Sequence, residues 1–144
     1  MAANTIPIYS KAGQIEFTPV EIKTANTAMD GTGTVSTIFT AGADGGRVER
    51  IRAKANGTNV ATVLRVFINN GGDNEVAANN ILYAEKTTAA TTVSAVAALL
   101  TNELPDTVDP TAFPIVLPAG YKINVTIGTT VASGIQITAV GSTY

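Results

Sequence analysis

A chain of 144 residues, 45% hydrophobic and only 14% charged, is too apolar for a disordered tail and long enough to bury a core as one domain. The absence of Cys and His removes disulfides, thiolate metal sites, histidine-ligated zinc and the usual serine triad together. A net charge of −2 argues against a general nucleic-acid binder, and no run approaches the ~20 apolar residues of a membrane span. The N-terminus also lacks the charged start and apolar run of a secretory signal, so the expectation is a protein made in the cytosol.

Taken in chain order, residues 1–14 (MAANTIPIYSKAGQ) hold no sustained period and predict an extended arm, leaving 15–144 as a single domain. The arm is read either as a frayed end or as a segment that orders against a neighbouring subunit through Ile6, Ile8 and Tyr9. IEFTPVEI, residues 15–22, alternates as a strand, but Pro19 confines it to an edge or a bend. A turn at Asp30-Gly31-Thr32-Gly33 precedes a strand over 34–40 and a glycine loop over 41–46. That loop has neither the Lys-Ser/Thr ending of a phosphate-binding loop nor dinucleotide spacing.

Arg47–Asn69 reads as a hairpin of two strands turning at Asn56-Gly57-Thr58-Asn59. Alternation sends Glu49, Ile51, Ala53 and Ala55 one way and Val48, Arg50, Arg52 and Lys54 the other. In the second strand Val60, Thr62, Leu64, Val66 and Ile68 form the inward row, opposite Ala61, Val63, Arg65 and Phe67. Five of the nine basic residues fall between Arg47 and Arg65. They are read either as a solvated face or as a positive patch, Arg50, Arg52, Lys54 and Arg65, that meets carboxylates on a partner protein.

Asp73-Asn74-Glu75 lacks calcium-hand spacing and reads as a solvated turn. A strand follows over 80–88. TVSAVAALL, residues 92–100, mixes helix-favouring Ala and Leu with β-branched residues and is predicted as a strand. Residues 101–114 carry Pro105, Pro110 and Pro114 beside Glu103, Asp106 and Asp109, which predicts a long acidic surface loop rather than a catalytic or metal site. Strands resume at 115–117, at 121–127 and at 135–144, with Tyr121, Ile123, Val125 and Ile127 expected to pack against Ile51, Leu64, Val66, Ile135 and Ile137. Eight or nine short strands at intervals of about ten residues predict an all-β, antiparallel β-sandwich. The long connections at 40–46 and 101–114 favour a jelly-roll-like Greek key over a meander.

Four stretches carry a resemblance: Gly46-Arg47-Val48-Glu49-Arg50-Ile51-Arg52-Ala53-Lys54, Leu64-Arg65-Val66-Phe67-Ile68, Leu117-Pro118-Ala119-Gly120-Tyr121 and Ala139-Val140-Gly141-Ser142-Thr143-Tyr144. From residue 34 to the C-terminus the chain resembles small capsid decoration, or cement, proteins of tailed bacteriophages. The resemblance implies a non-enzymatic virion protein on the capsid exterior, made in the host cytoplasm. Its partners would be the major capsid protein and further copies of itself, as a dimer or trimer, with no nucleic acid, membrane, cofactor, metal or catalytic residue. The alternative is a tail, baseplate or head-fibre component binding host-surface glycan, which four Tyr, four Phe and no Trp weaken. A carboxylate-based glycosidase is weaker still, because the acids cluster on loops rather than on a rigid frame.

Overall fold

Alternating apolar and polar residues build nine β-strands in the computed structural model, which describes residues 12–17, 21–106 and 112–144, the first stretch as backbone. The strands are β1 (Ala12–Phe17), β2 (Ser36–Thr40), β3 (Gly46–Ala55), β4 (Thr62–Asn69), β5 (Asn80–Thr88), β6 (Thr101–Leu104), β7 (Ile115–Leu117), β8 (Lys122–Ile127) and β9 (Ile135–Thr143). A 3-10 turn, Ala77–Asn79, precedes β5. Two antiparallel sheets pack into a β-sandwich. The first runs β1-β9-β3-β6, with β7 on the same flank of β3 as β6; the second runs β2-β8-β4-β5. Pairing is nested, since β4 meets β5, β3 meets β6 and β7, β2 meets β8, and β1 meets β9. The first half of the chain thus folds back along the second as one long ribbon, rolled into two layers.

The core lies between the sheets. Ile51, Leu64, Val66, Ile123, Val125, Ile127, Ile135 and Ile137 are buried in one cluster, as the alternation predicts, with Tyr121 packed at its margin. β1 occupies an edge, the place expected for the strand that leads to Pro19, but it starts at Ala12, inside the segment read as an arm.

Several expectations are corrected. The predicted 47–69 hairpin does not form, because β3 and β4 belong to different sheets. Gly57 is not among the positive-φ glycines that a tight hairpin turn would need, and the connection arches from one layer to the other. Its ends are tied elsewhere: the Asn56 N–H donates to the Gly134 carbonyl at 3.1 Å, and Asn59 exchanges backbone hydrogen bonds with Thr91. Within β3 the predicted facing holds for Ile51, Ala53 and Ala55 inward and for Arg50, Arg52 and Lys54 outward, but it is reversed at Val48 and Glu49. Val48 lies opposite Gly141 and Arg50 opposite Val140, so Glu49 is an extra, bulged residue. Val48 therefore turns inward and Glu49 outward. In β4 the inward row holds for Thr62, Leu64 and Val66, but Val60 lies outside the strand and is 56% exposed. Phe67 is fully buried on the opposite face. Across from it, Val66 pairs with Ala84 and Phe67 with Leu82, which leaves Tyr83 as a second bulge.

The predicted strand at 92–100 is instead an exposed irregular loop, because β-branched residues favour a strand only where a neighbouring strand pairs with them. Conversely, the predicted loop at 101–114 begins with β6, whose Leu104 is buried opposite Ile51.

Two stability outcomes follow. Ile123→Ala, at a site with no exposure, is expected to lower unfolding free energy by about 2–5 kcal/mol in urea titrations, while Ile81→Ala, at a position 63% exposed, should stay within about 0.5 kcal/mol of the parent. Gly141→Ala should destabilise by roughly 1–3 kcal/mol, because the added Cβ would sit 2.2 Å from the Arg47 carbonyl oxygen and 3.0 Å from the Val48 Cα.

Candidate interaction surface

Each sheet has an outer face, and the two differ. Over the second sheet the chain builds a polar lid from residues 21–35. Ile22 bridges to Ile135, the Lys23 carbonyl accepts the Val131 N–H at 2.9 Å, and the Asn26 N–H donates to Ile127 at 2.8 Å. The segment then crosses the sheet, with Gly31 against Phe67 and Asn80. Asn26 clips the crossing shut: its Nδ2 donates to the carbonyls of Thr32 (2.7 Å) and Thr34 (2.9 Å), and its Oδ1 accepts the Ala28 N–H (3.0 Å). Within the lid the Thr32 hydroxyl, and then its backbone N–H, hold the Asp30 carboxyl below the usual range.

Beneath the lid lie Phe67, Asn69, Asn124 and Thr126, all buried. The buried amides are joined: Asn69 Nδ2 donates to Asn80 Oδ1 (2.8 Å), Asn80 Nδ2 to the Asn74 carbonyl (2.9 Å), and Asn124 Nδ2 to Asn74 Oδ1 (3.2 Å). Asn74 Nδ2 also donates to the Gly33 carbonyl at 3.1 Å, and Glu75 accepts the Gly33 N–H at 3.4 Å. The turn, exposed at Asp73 and Glu75 as the sequence predicts, also latches the lid to the sheet through Asn74 and Glu75.

The outer face of the first sheet carries Arg50, Arg52 and Lys54, all exposed and in register with Val140, Thr138 and Gln136 of β9. Glu103 on β6 lies opposite Arg52, with 2.6 Å between Arg52 Nε and Glu103 Oε1. Arg47 pairs with Glu49 at 2.6 Å. Arg65 does not join this face. It sits on the second sheet, bonded to Glu85 at 3.0 Å and to the Asn26 carbonyl at 3.2 Å. Of the basic residues between Arg47 and Arg65, only Arg50 and Lys54 lack a carboxylate partner among the described residues. Ile6, Ile8 and Tyr9 lie outside the described residues.

A cleft of about 540 Å³ runs along β5 beside Tyr83, Glu85, Lys86, Leu104 and Asp106. Four of its lining residues are tied to one another or to neighbouring elements. Lys86 pairs with Asp106, Glu85 with Arg65, and the Tyr83 hydroxyl donates to the Ala112 carbonyl, while the Tyr83 ring meets Phe113 edge-on.

The residues that sequence reasoning missed are the asparagines of the lid. A signal existed: Asn69, Asn124 and Thr126 are neutral and short at positions where a wet sheet face would ordinarily carry Lys or Glu. Compared with family models, curated proteins and solved structures, the chain matches none.

Asn26→Ala removes three hydrogen bonds at a buried position and is expected to cost about 1–3 kcal/mol. Amide exchange should rise across residues 26–35 and not in β9; protection left intact at 28–34 would mean that the lid is held by other contacts.

Proposed function

We propose that this protein is a non-enzymatic virion structural protein that binds the outer surface of a phage capsid and reinforces it, and that its sandwich is a jelly roll. The nested pairing of β1 with β9, β2 with β8, β3 with β6 and β4 with β5 supports the jelly-roll reading, an architecture used in viral shells. The resemblance of residues 46–54, 64–68, 117–121 and 139–144 to decoration proteins supports the partner. The observation that carries the contact is the asymmetry of the two faces. One is covered over Phe67, Asn69, Asn124 and Thr126 by the chain's own lid, whereas the other presents Arg50 and Lys54 with no carboxylate partner among the described residues. A guanidinium and an ammonium displayed on a flat sheet suit carboxylates of a protein shell. Each contact can be weak, since many copies on one lattice raise the effective affinity.

The test is the double variant Arg50→Gln with Lys54→Gln, measured as capsid occupancy against salt. Occupancy should fall and lose much of its salt dependence while the thermal midpoint is unchanged. Arg52→Gln, whose parent side chain already serves Glu103, should have the smaller effect. Unchanged occupancy of the double variant at every salt concentration would return this face to solvent.

A further inference from the structure

The connection between β5 and β6 leaves its backbone open. Residues 92–98 are all exposed, and Val96 at the tip is 97% exposed. Only the base is tied down: Thr91 exchanges backbone hydrogen bonds with Asn59 (2.9 and 3.0 Å), and the Val93 N–H donates to the Thr58 hydroxyl at 3.1 Å. Beyond Val93, among the described residues, no hydrogen bond leads out of the loop until β6 begins at Thr101. The Ser94 hydroxyl accepts the N–H groups of Val96 and Ala97 inside it. Other long connections are knit into the sandwich, residues 26–35 by Asn26 and residues 70–79 by Asn74 and Asn79. Open backbone on a loop tip is where chains are nicked, since a protease cleft takes up its substrate as an added strand. The side chains on offer, from TVSAVAALL, are mostly small and aliphatic and suit a protease with a small specificity pocket.

The strand order decides what a cut there would do. It would divide the chain into a first piece holding β1 to β5 and a second holding β6 to β9. In the first sheet β9 lies between β1 and β3, and β3 also pairs with β6 and β7, so every pairing joins one piece to the other. In the second sheet β8 lies between β2 and β4, and only β4 with β5 belongs to one piece. The core is shared in the same way, with Leu64 and Val66 against Ile123, Val125 and Ile137. A cut therefore breaks no strand pair. Apart from each other, the first piece would keep one two-stranded ribbon, which does not stand alone in water, and the second would keep no pair among the described residues.

We infer that residues 94–98 are a cleavage site for an endoprotease that accepts small aliphatic residues, and that the sandwich outlasts the cut as a complex of two mutually dependent pieces. In the hydrolysis a water oxygen adds to the carbonyl carbon, the C–N bond breaks and the departing nitrogen takes a proton. The new carboxylate and ammonium form at exposed positions, where neither charge has to be buried. Unfolding then releases two chains instead of one, so the thermal midpoint becomes dependent on concentration. This inference rests on exposure and strand order and is independent of the decoration reading.

The test is a time course of the folded full chain with an elastase-class serine protease, the cuts being placed by mass spectrometry. Within the described residues the first cut should fall between Val93 and Leu100, and the two pieces should elute together at the parent's volume in size-exclusion chromatography. The cut protein should keep the parent's far-ultraviolet circular dichroism, with a midpoint that rises with concentration. Separated in guanidinium chloride and returned to buffer, each piece alone should lack the β-sheet spectrum. Val96→Arg, at an exposed position, should make the same loop a target of a trypsin-class protease, which has no Lys or Arg to cut between residues 92 and 100 of the parent. A loop left intact while other described segments are cut overturns the inference, as does a Val96→Arg chain that trypsin does not cut after position 96. Pieces that part without denaturant, or one that keeps the sheet spectrum by itself, overturn it equally.

Discussion

The extra residue at Glu49 sets the layout of the first sheet. β3 is hydrogen-bonded along both flanks, to β9 on one side and to β6 and β7 on the other. A strict alternation running back from Ile51 would carry Glu49 and Arg47 into the core, and burying two charges there would cost more than the sandwich could recover. The bulge resets the phase: Val48 and Gly46 face inward, while Arg47 and Glu49 meet each other outside. The adjustment is possible only because β9 presents Gly141 where the bulged backbone presses closest, with the Arg47 carbonyl occupying the space of a side chain.

The second sheet solves a different problem. A flat antiparallel sheet can leave one face wet, yet here the outer face carries Phe67 and a row of short amides and hydroxyls that a lid has closed over. Covering them is favourable only if nearly every polar group finds a partner, since each one left unmet costs on the order of 1–3 kcal/mol. Asn26, Asn69, Asn74, Asn80 and Asn124 meet that requirement, because an amide offers both donors and acceptors and so links elements distant in sequence. Among the described residues, Thr126 Oγ1 and Thr88 Oγ1 remain buried without a partner and are the weak points of this sheet.

How much of this was legible depended on how local each signal was. The segments 80–88, 121–127 and 135–140 alternate cleanly, and strands form at each, so the two-layer antiparallel architecture could be read from strand spacing and alternation. What failed was non-local. Asn56-Gly57 looks like a hairpin turn, but which sheet takes β4 is decided by the flanks β3 has already given to other strands. The segment 92–100 has strand composition but no strand beside it, and a bulge is invisible until the partner strand fixes the register. The asparagine lid depends on residues between 26 and 124 meeting in space, which no short spacing announces.

The same non-locality changes the meaning of the basic cluster. In sequence, Arg47 to Arg65 looks like a single positive field. Folding sends Arg65 to the other sheet, pairs Arg47 with Glu49 and sets Glu103 against Arg52. What remains on the open face is Arg50 and Lys54, four residues apart on one strand and therefore about 13 Å from each other. That separation exceeds the screening length of roughly 8 Å at physiological salt. The two cations consequently act as separate points, each felt only at close range, rather than as one patch that attracts a partner from a distance. On the proposed function, a partner on this face would be selected by the spacing of its carboxylates along the strand, with the neutral Thr138 and the Glu103-paired Arg52 lying between Arg50 and Lys54.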